Sequence, residues 1–153
     1  MLYAINTLPE HLEPIAANMR LDDVREIWAA GKRTPLVSLK MSVALGRHKT
    51  IMLADKPVGM FGVTPLSCIG RHGSPWLLGT DELASHSKSF LKGCLRHFPE
   101  VTKGFEFLEN YVDARNTVSI KWLKWLGFVI MDPEPYGPFN LPFHRFYMEN
   151  HNV

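Results

Sequence analysis

Residues 104–132 read GFEFLENYVDARNTVSIKWLKWLGFVIMD, a helix-period segment held between two strand-like runs. GFEFLENYV alternates as a strand does, and FVIMD is a second short apolar run. Between 117 and 126, Val118, Trp122, Trp125 and Leu126 share a face that can lie on a sheet, while Thr117, Lys121 and Lys124 turn to water. Asn116 is placed to cap this helix by accepting an N–H two or three residues on, and Gly127 to end it in a left-handed conformation. In this order the three elements predict helices packed on a sheet.

The remaining chain extends the plan. MLYAINTL reads as an edge strand, and Thr7 with Glu10 has the spacing of a capping box before a first helix that Pro14 shortens or kinks. RLDDVREIWAAG predicts a helix with Leu21, Val24, Ile27 and Trp28 on its buried face and Gly31 as its stop. The segment from Thr34-Pro35 to Leu45 predicts a third, well-buried helix ending at Gly46. KTIMLADKPVGMFGVTPL predicts a hairpin turning near Asp55-Lys56-Pro57, SCIGRHGS a loop and PWLLGT a central strand. From Asp81 the pattern is helical, with Leu83, Phe90, Leu91, Cys94, Leu95 and Phe98 inward and Pro99 as the stop. A Pro-rich loop, DPEPYGPFNLP, precedes a last strand, HRFYME. The expected class is α/β with a mixed sheet, in one domain spanning residues 1–153.

Length and composition fit a globular chain with a genuine core, and a net charge of +2 is too small to argue for nucleic acid or an anionic membrane. Cys68 and Cys94 have no metal spacing and read as thiols in a reducing compartment. No apolar run reaches membrane length and no signal peptide is visible, so the expectation is a soluble protein made in a cytoplasm.

The setting of ARNTVSIKWLKWLGF resembles the second half of the GNAT acyltransferase fold: an Asn closing a strand, a small residue three on, a helix, then Leu-Gly-Phe and another strand. Here these are Asn116, Ser119, Leu126, Gly127 and Phe128. The resemblance covers most of the chain as element order and is specific across residues 114–128. It implies that the fourth and fifth strands splay, that the pantetheine arm of acetyl-CoA lies between them, and that its pyrophosphate sits at the next helix N-terminus. The residues it implies as cofactor-binding are Leu78, Gly79 and Thr80 at the strand end, with Ser85, Asn116 and Ser119; the backbone after Leu78 would polarise the thioester carbonyl. Two features depart from the family. Its glycine-rich pyrophosphate loop should fall on LASHSK, residues 83–88, where there is no glycine; Asp81 and Glu82 stand at the helix start instead, though Ser85, Ser87 and Ser89 could still donate hydrogen bonds. The Tyr that protonates the departing thiolate is Leu123 here, which has no proton to give.

EIWAAGK, PWLLGTDEL and NYVDARNTVSIKWLKWLGF, with the aromatic C-terminal strand, also resemble the internal virion protein A family of T7-like short-tailed phages. That resemblance implies a GNAT-like fold without the glycine loop and an association with virion assembly.

Other chemistry has weaker signals. Seven histidines form no metal-binding motif, no GxSxG elbow is present, and Cys68 lies near Arg71 and His72 without a partner motif. Basic residues Arg33, Lys40, Arg47, His48 and Lys49, and the pair Lys121 and Lys124, read as solvated faces, and nucleic acid is not supported. Trp76, Trp122 and Trp125 read as core. Tyr136, Phe139 and Phe143 either present a partner-binding surface or fold back to cap the sheet.

The leading expectation is a phage or prophage virion or assembly protein, in the host cytoplasm and possibly the virion, that uses a GNAT-like fold to bind other virion proteins. It assigns no catalytic residue, no metal and no obligatory cofactor. The alternative is an acyl-CoA-dependent N-acyltransferase with an atypical acetyl-CoA site. Acceptor, partner and oligomeric state stay open.

Overall fold

The computed structural model describes residues 2–67 and 71–151, with Cys94 and Leu95 described in their backbone alone. Seven strands form one sheet: β1 (Leu2–Ile5), β2 (Arg47–Leu53), β3 (Lys56–Pro65), β4 (His72–Gly79), β5 (Phe107–Asp113), β6 (Val129–Tyr136) and β7 (Leu141–Glu149), in the order β1-β2-β3-β4-β5-β7-β6. Every neighbouring pair is antiparallel except β4 and β5. Helices α1 (Leu12–Ala17), α2 (Leu21–Gly31) and α3 (Pro35–Leu45) follow β1; α4 (Asp81–Ser85) and α5 (Ser87–Thr102) link β4 to β5; α6 (Thr117–Trp125) links β5 to β6.

Strand alternation builds a core on each face of the sheet. In β3, Phe61 and Val63 join Phe90, Leu108, Trp122, Phe128 and Phe146 beneath α5 and α6, while Met60 joins Leu12, Ile15, Met19, Ile27 and Leu39 beneath α1–α3. In β4, Leu77 packs with the first set and Leu78 belongs to the second.

Several local expectations hold. Asn116 caps α6 by accepting the Ser119 N–H, Gly127 ends it at φ 97°, and the β2–β3 hairpin turns at Ala54-Asp55. Others are overturned by context. The α2 face that packs inward carries Asp23 and Ile27, while Leu21 and Trp28 are 58% and 49% exposed. Of α3 only Leu39 is buried; Val37, Met41 and Leu45 face out, because its apolar residues surround the helix instead of forming a stripe. The first helical turn is opened by His11, whose Nδ1 accepts the Leu8 N–H, and not by a Thr7 box.

Pro99 does not stop its helix; the helical segment from Asp81 breaks at His86, between α4 and α5, and α5 then runs through Pro99 to Thr102. Val101 and Thr102 are buried beyond the proline, and Asn150 Nδ2 donates to the Thr102 carbonyl, so tertiary contacts hold a turn that the proline weakens. The Pro-rich stretch is largely strand. Pro133 and Pro135 lie in β6, tolerated because β6 is the sheet edge and its register shifts between Ile130 and Pro133. Phe143 is fully buried and Tyr136 stacks on Tyr111 at 4.0 Å, so these two fold back on the sheet, while Phe139 stays 45% exposed beneath Lys32. Trp125 is half exposed and leaves the core to Trp122. Cys68 and the side chain of Cys94 lie outside the described residues.

Candidate functional site

The parallel ladder between β4 and β5 has two pairs, His72↔Phe107 and Gly73↔Leu108, after which the strands part. The Asn110 amide bridges the start of the gap by donating to the Pro75 carbonyl at 2.8 Å. At the far end, Gly79 turns its N–H to Asp23 and its carbonyl to the Arg20 N–H. Alternate residues of a strand point their backbone groups to the same side. Leu77, midway between Pro75 and Gly79, therefore directs its N–H and C=O into the gap, where no strand among the described residues answers them. A cavity of about 480 Å³ runs through this opening. On the α1–α3 side its wall includes Glu26, Trp76, Tyr111 and Tyr136; on the α5–α6 side it is apolar, with Phe98, Trp122, Leu123 and Phe128. The Trp76 Nε1 is buried without a hydrogen-bond partner among the described residues.

A polar network closes one end. Residues 20, 23 and 26 recur every third position and share the α2 face laid over the gap. The Arg20 guanidinium donates to Asp23 Oδ1 at 2.7 Å, to Asn116 Oδ1 at 3.2 Å and to Ser119 Oγ at 3.1 Å, and lies over the Trp122 ring at 5.3 Å. Asn116 Nδ2 donates to Asp23 Oδ1 and, at 3.4 Å, to Glu26 Oε1. Arg20 and Asp23 are 4% and 1% exposed, so each charge depends on the other. Burial holds the Asp23 carboxyl above its ordinary range, and the Arg20 guanidinium offsets only part of that rise. Glu26 is pushed up to about 8, first by burial and then by the Asp23 charge. Its Oε1 also accepts the Asp113 N–H at 2.8 Å, which leaves Oε2 without a donor among the described residues.

The residues implied by the resemblance are dispersed by this geometry. Leu78 and Ser119 line the cavity. Gly79 and Asn116 lie at its closed end, joined through Asp23. Thr80 is buried, with its N–H and hydroxyl both donating to the Val58 carbonyl, and Ser85 is exposed and donates to the Glu82 carbonyl. Leu123, where the resemblance implies a Tyr, lines the cavity. Arg20, Asp23 and Glu26 match no motif in the sequence; their only signal is a three-residue recurrence, masked by the apolar stripe beside it. Among the described residues no group of three or more His, Cys, Asp or Glu could hold a metal ion, and no helix is long and apolar enough to cross a membrane.

No family model matches the chain, and no curated protein matches it, so the phage resemblance gains no support there. Solved structures do match. A spermidine N-acetyltransferase from Vibrio cholerae, in complex with CoA and spermine, covers 99% of this chain and 96% of its own at 13% identity and a TM-score of 0.69. A putative acetyltransferase from Salmonella typhimurium, with its cofactor acetyl-CoA, covers 97% and 93% at 12% identity and 0.67. An acetyltransferase of the GNAT family from Streptococcus pneumoniae covers 98% and 100% at 11% and 0.62. The fold is therefore that of GNAT acetyltransferases; identities this low speak to the fold alone.

Proposed function

We propose that the protein is an N-acyltransferase that takes its acyl group from a pantetheine thioester held between β4 and β5. The observation that carries this reading is the open edge of β4 at Leu77 inside a cavity lined by Glu26. A pantetheine arm is an extended amide chain, and a strand edge with an unanswered N–H and C=O suits it as it would an added strand. The apolar wall of Phe98, Trp122 and Phe128 excludes water from that arm. When bound, the thioester supplies an activated acyl carbonyl.

The chain's own groups divide the remaining work. Glu26 is a stronger base than an ordinary carboxylate and takes the proton of an amine entering beside Trp76 and Tyr111. Asp113 and Asn116 fix its Oε1, so that Oε2 receives the proton. Ser119 accepts from Arg20, which leaves its own O–H to donate toward the departing sulfur. The backbone N–H of Gly79 does not polarise the carbonyl in this arrangement, because Asp23 holds it.

A second reading, a binding scaffold for virion or assembly proteins that performs no transfer, draws on a different observation. The head of α4 carries Asp81 and Glu82, so a nucleotide diphosphate does not fit where the fold would seat it. Thiol release from acyl thioesters, tested with a panel of amines, separates the two. Release that depends on an amine and disappears in Glu26→Gln supports transfer, and its absence with every donor and amine favours the scaffold.

A further inference from the structure

The strand gap suits a pantetheine arm, but the adjoining surface does not suit a nucleotide. Glu82 pairs with Lys56, Asp81 stands exposed at the head of α4, and Ser87 turns its hydroxyl back to the Ala84 carbonyl, as Ser85 does to Glu82. Leu83 is fully buried against Gly59 and Gly79, filling the space with carbon: a Cβ on either glycine would lie 2.7 or 2.6 Å from its Cδ2. Two phosphates brought here meet carboxylates and few free donors.

The outer faces of the next two helices have the opposite character. Lys88, Lys92 and Arg96 recur every fourth residue on α5, and Lys121 and Lys124 stand on α6, all exposed. None of the five makes an ion pair among the described residues. The two helices lie on the same side of the sheet, joined by Phe90 against Trp122 at 5.0 Å, with the gap beneath them. Helices α5 and α6 together carry these five cations and a single carboxylate, Glu100, in a chain whose net charge is only +2. The phosphates of free acyl-CoA are also drawn to cations, but its diphosphate would have to seat at the acidic head of α4, whereas a protein-borne donor can spread an acidic surface over the five exposed cations.

The geometry points to an acyl donor presented by an acidic carrier protein, which docks on the α5–α6 face and inserts a phosphopantetheine arm into the gap. The inference rests on the acyltransferase reading and names its donor. In the transfer, the amine nitrogen forms a bond to the acyl carbon, the carbon–sulfur bond breaks, and its electron pair leaves on sulfur. Glu26 takes the amine proton and releases it to solvent, while the Ser119 hydroxyl gives its proton to sulfur and regains one from solvent, so that carrier thioester and amine become amide and carrier thiol.

Calorimetric titration of the full chain with a bacterial acyl carrier protein, in its apo and phosphopantetheinylated forms, with CoA and with acetyl-pantetheine tests this. The phosphopantetheinylated carrier is expected to bind about tenfold or more tighter than CoA, and more weakly as salt is raised. The surface variant Lys92→Glu/Lys121→Glu is expected to lose about tenfold in carrier affinity while acetyl-pantetheine binds it as before. CoA binding as tight as the carrier, carrier affinity indifferent to the charge reversal, or tighter binding of duplex DNA or anionic vesicles overturns the donor assignment and leaves the acyltransferase reading standing. Failure of carrier, CoA and acetyl-pantetheine alike overturns both.

Discussion

Asp23 accepts the backbone N–H of Gly79 at 3.0 Å through Oδ2 while its Oδ1 holds the Arg20 guanidinium at 2.7 Å. One carboxylate thereby fastens the start of α2 to the end of β4 and keeps the mouth of the strand gap in shape. Asp23→Ala leaves a buried guanidinium and an orphaned N–H and is expected to cost about 3–5 kcal/mol. Arg20→Met/Asp23→Leu is expected to cost less than Asp23→Ala alone, since no unpaired charge remains. Urea midpoints of the two variants and the parent check the ordering.

Glu26 gives stability a definite pH dependence. Its carboxyl is raised to about 8 in the fold from an ordinary value of 4.5, so between these values the folded state holds a proton that the unfolded state has released. Stability from this group falls as pH rises through that window, by up to about 1.4 kcal/mol per pH unit. Glu26→Gln should flatten the decline between pH 5 and 8, roughly the window those two pKa values bound. Equal slopes in both proteins would place the cause elsewhere.

The same residue sets the expected rate profile. Transfer should rise with pH and level off above about 8 as Glu26 ionises. Glu26→Gln should lower kcat/KM by about a hundredfold or more and remove the rise. Thiol release followed from pH 6 to 9.5, about two units either side of that value, provides the measurement.

Leu123 lines the cavity at the position where the GNAT resemblance implies a proton-donating Tyr. Leu123→Tyr is expected to raise amine-dependent thiol release by about tenfold or more, the low end for an added general acid. Unchanged turnover would mean that the Ser119 hydroxyl, oriented by Arg20, already does that work.

The acidic head of α4 offers a test of donor choice. Asp81→Asn/Glu82→Gln removes two charges from the first helical turn and should strengthen CoA binding several-fold. The helix loses about 0.3–1 kcal/mol for each charge removed. Calorimetry with CoA and thermal melts of the same preparation report both effects.

The features legible in the sequence were those set within a few residues. Asn116 reaches Ser119 in its own first turn, Gly127 supplies the positive φ that ends α6, and alternation along GFEFLENYV follows from strand geometry. The element order and the mixed sheet came with them, because they need only periodicity and punctuation. Local pattern could not decide which side of a segment would be buried, or beside what. Arg20 and Asn116 meet across 96 residues, and only that meeting makes the charged side of α2 its inner side. Pro99 stays inside α5 because Asn150, 48 residues beyond Thr102, supports the turn that follows it. The parting of β4 from β5 and the raised Glu26 carboxyl likewise exist only once distant chain segments exclude water together. Burial of charge is a property of the assembled surroundings, and it is what turned an ordinary amphipathic sequence into a candidate site.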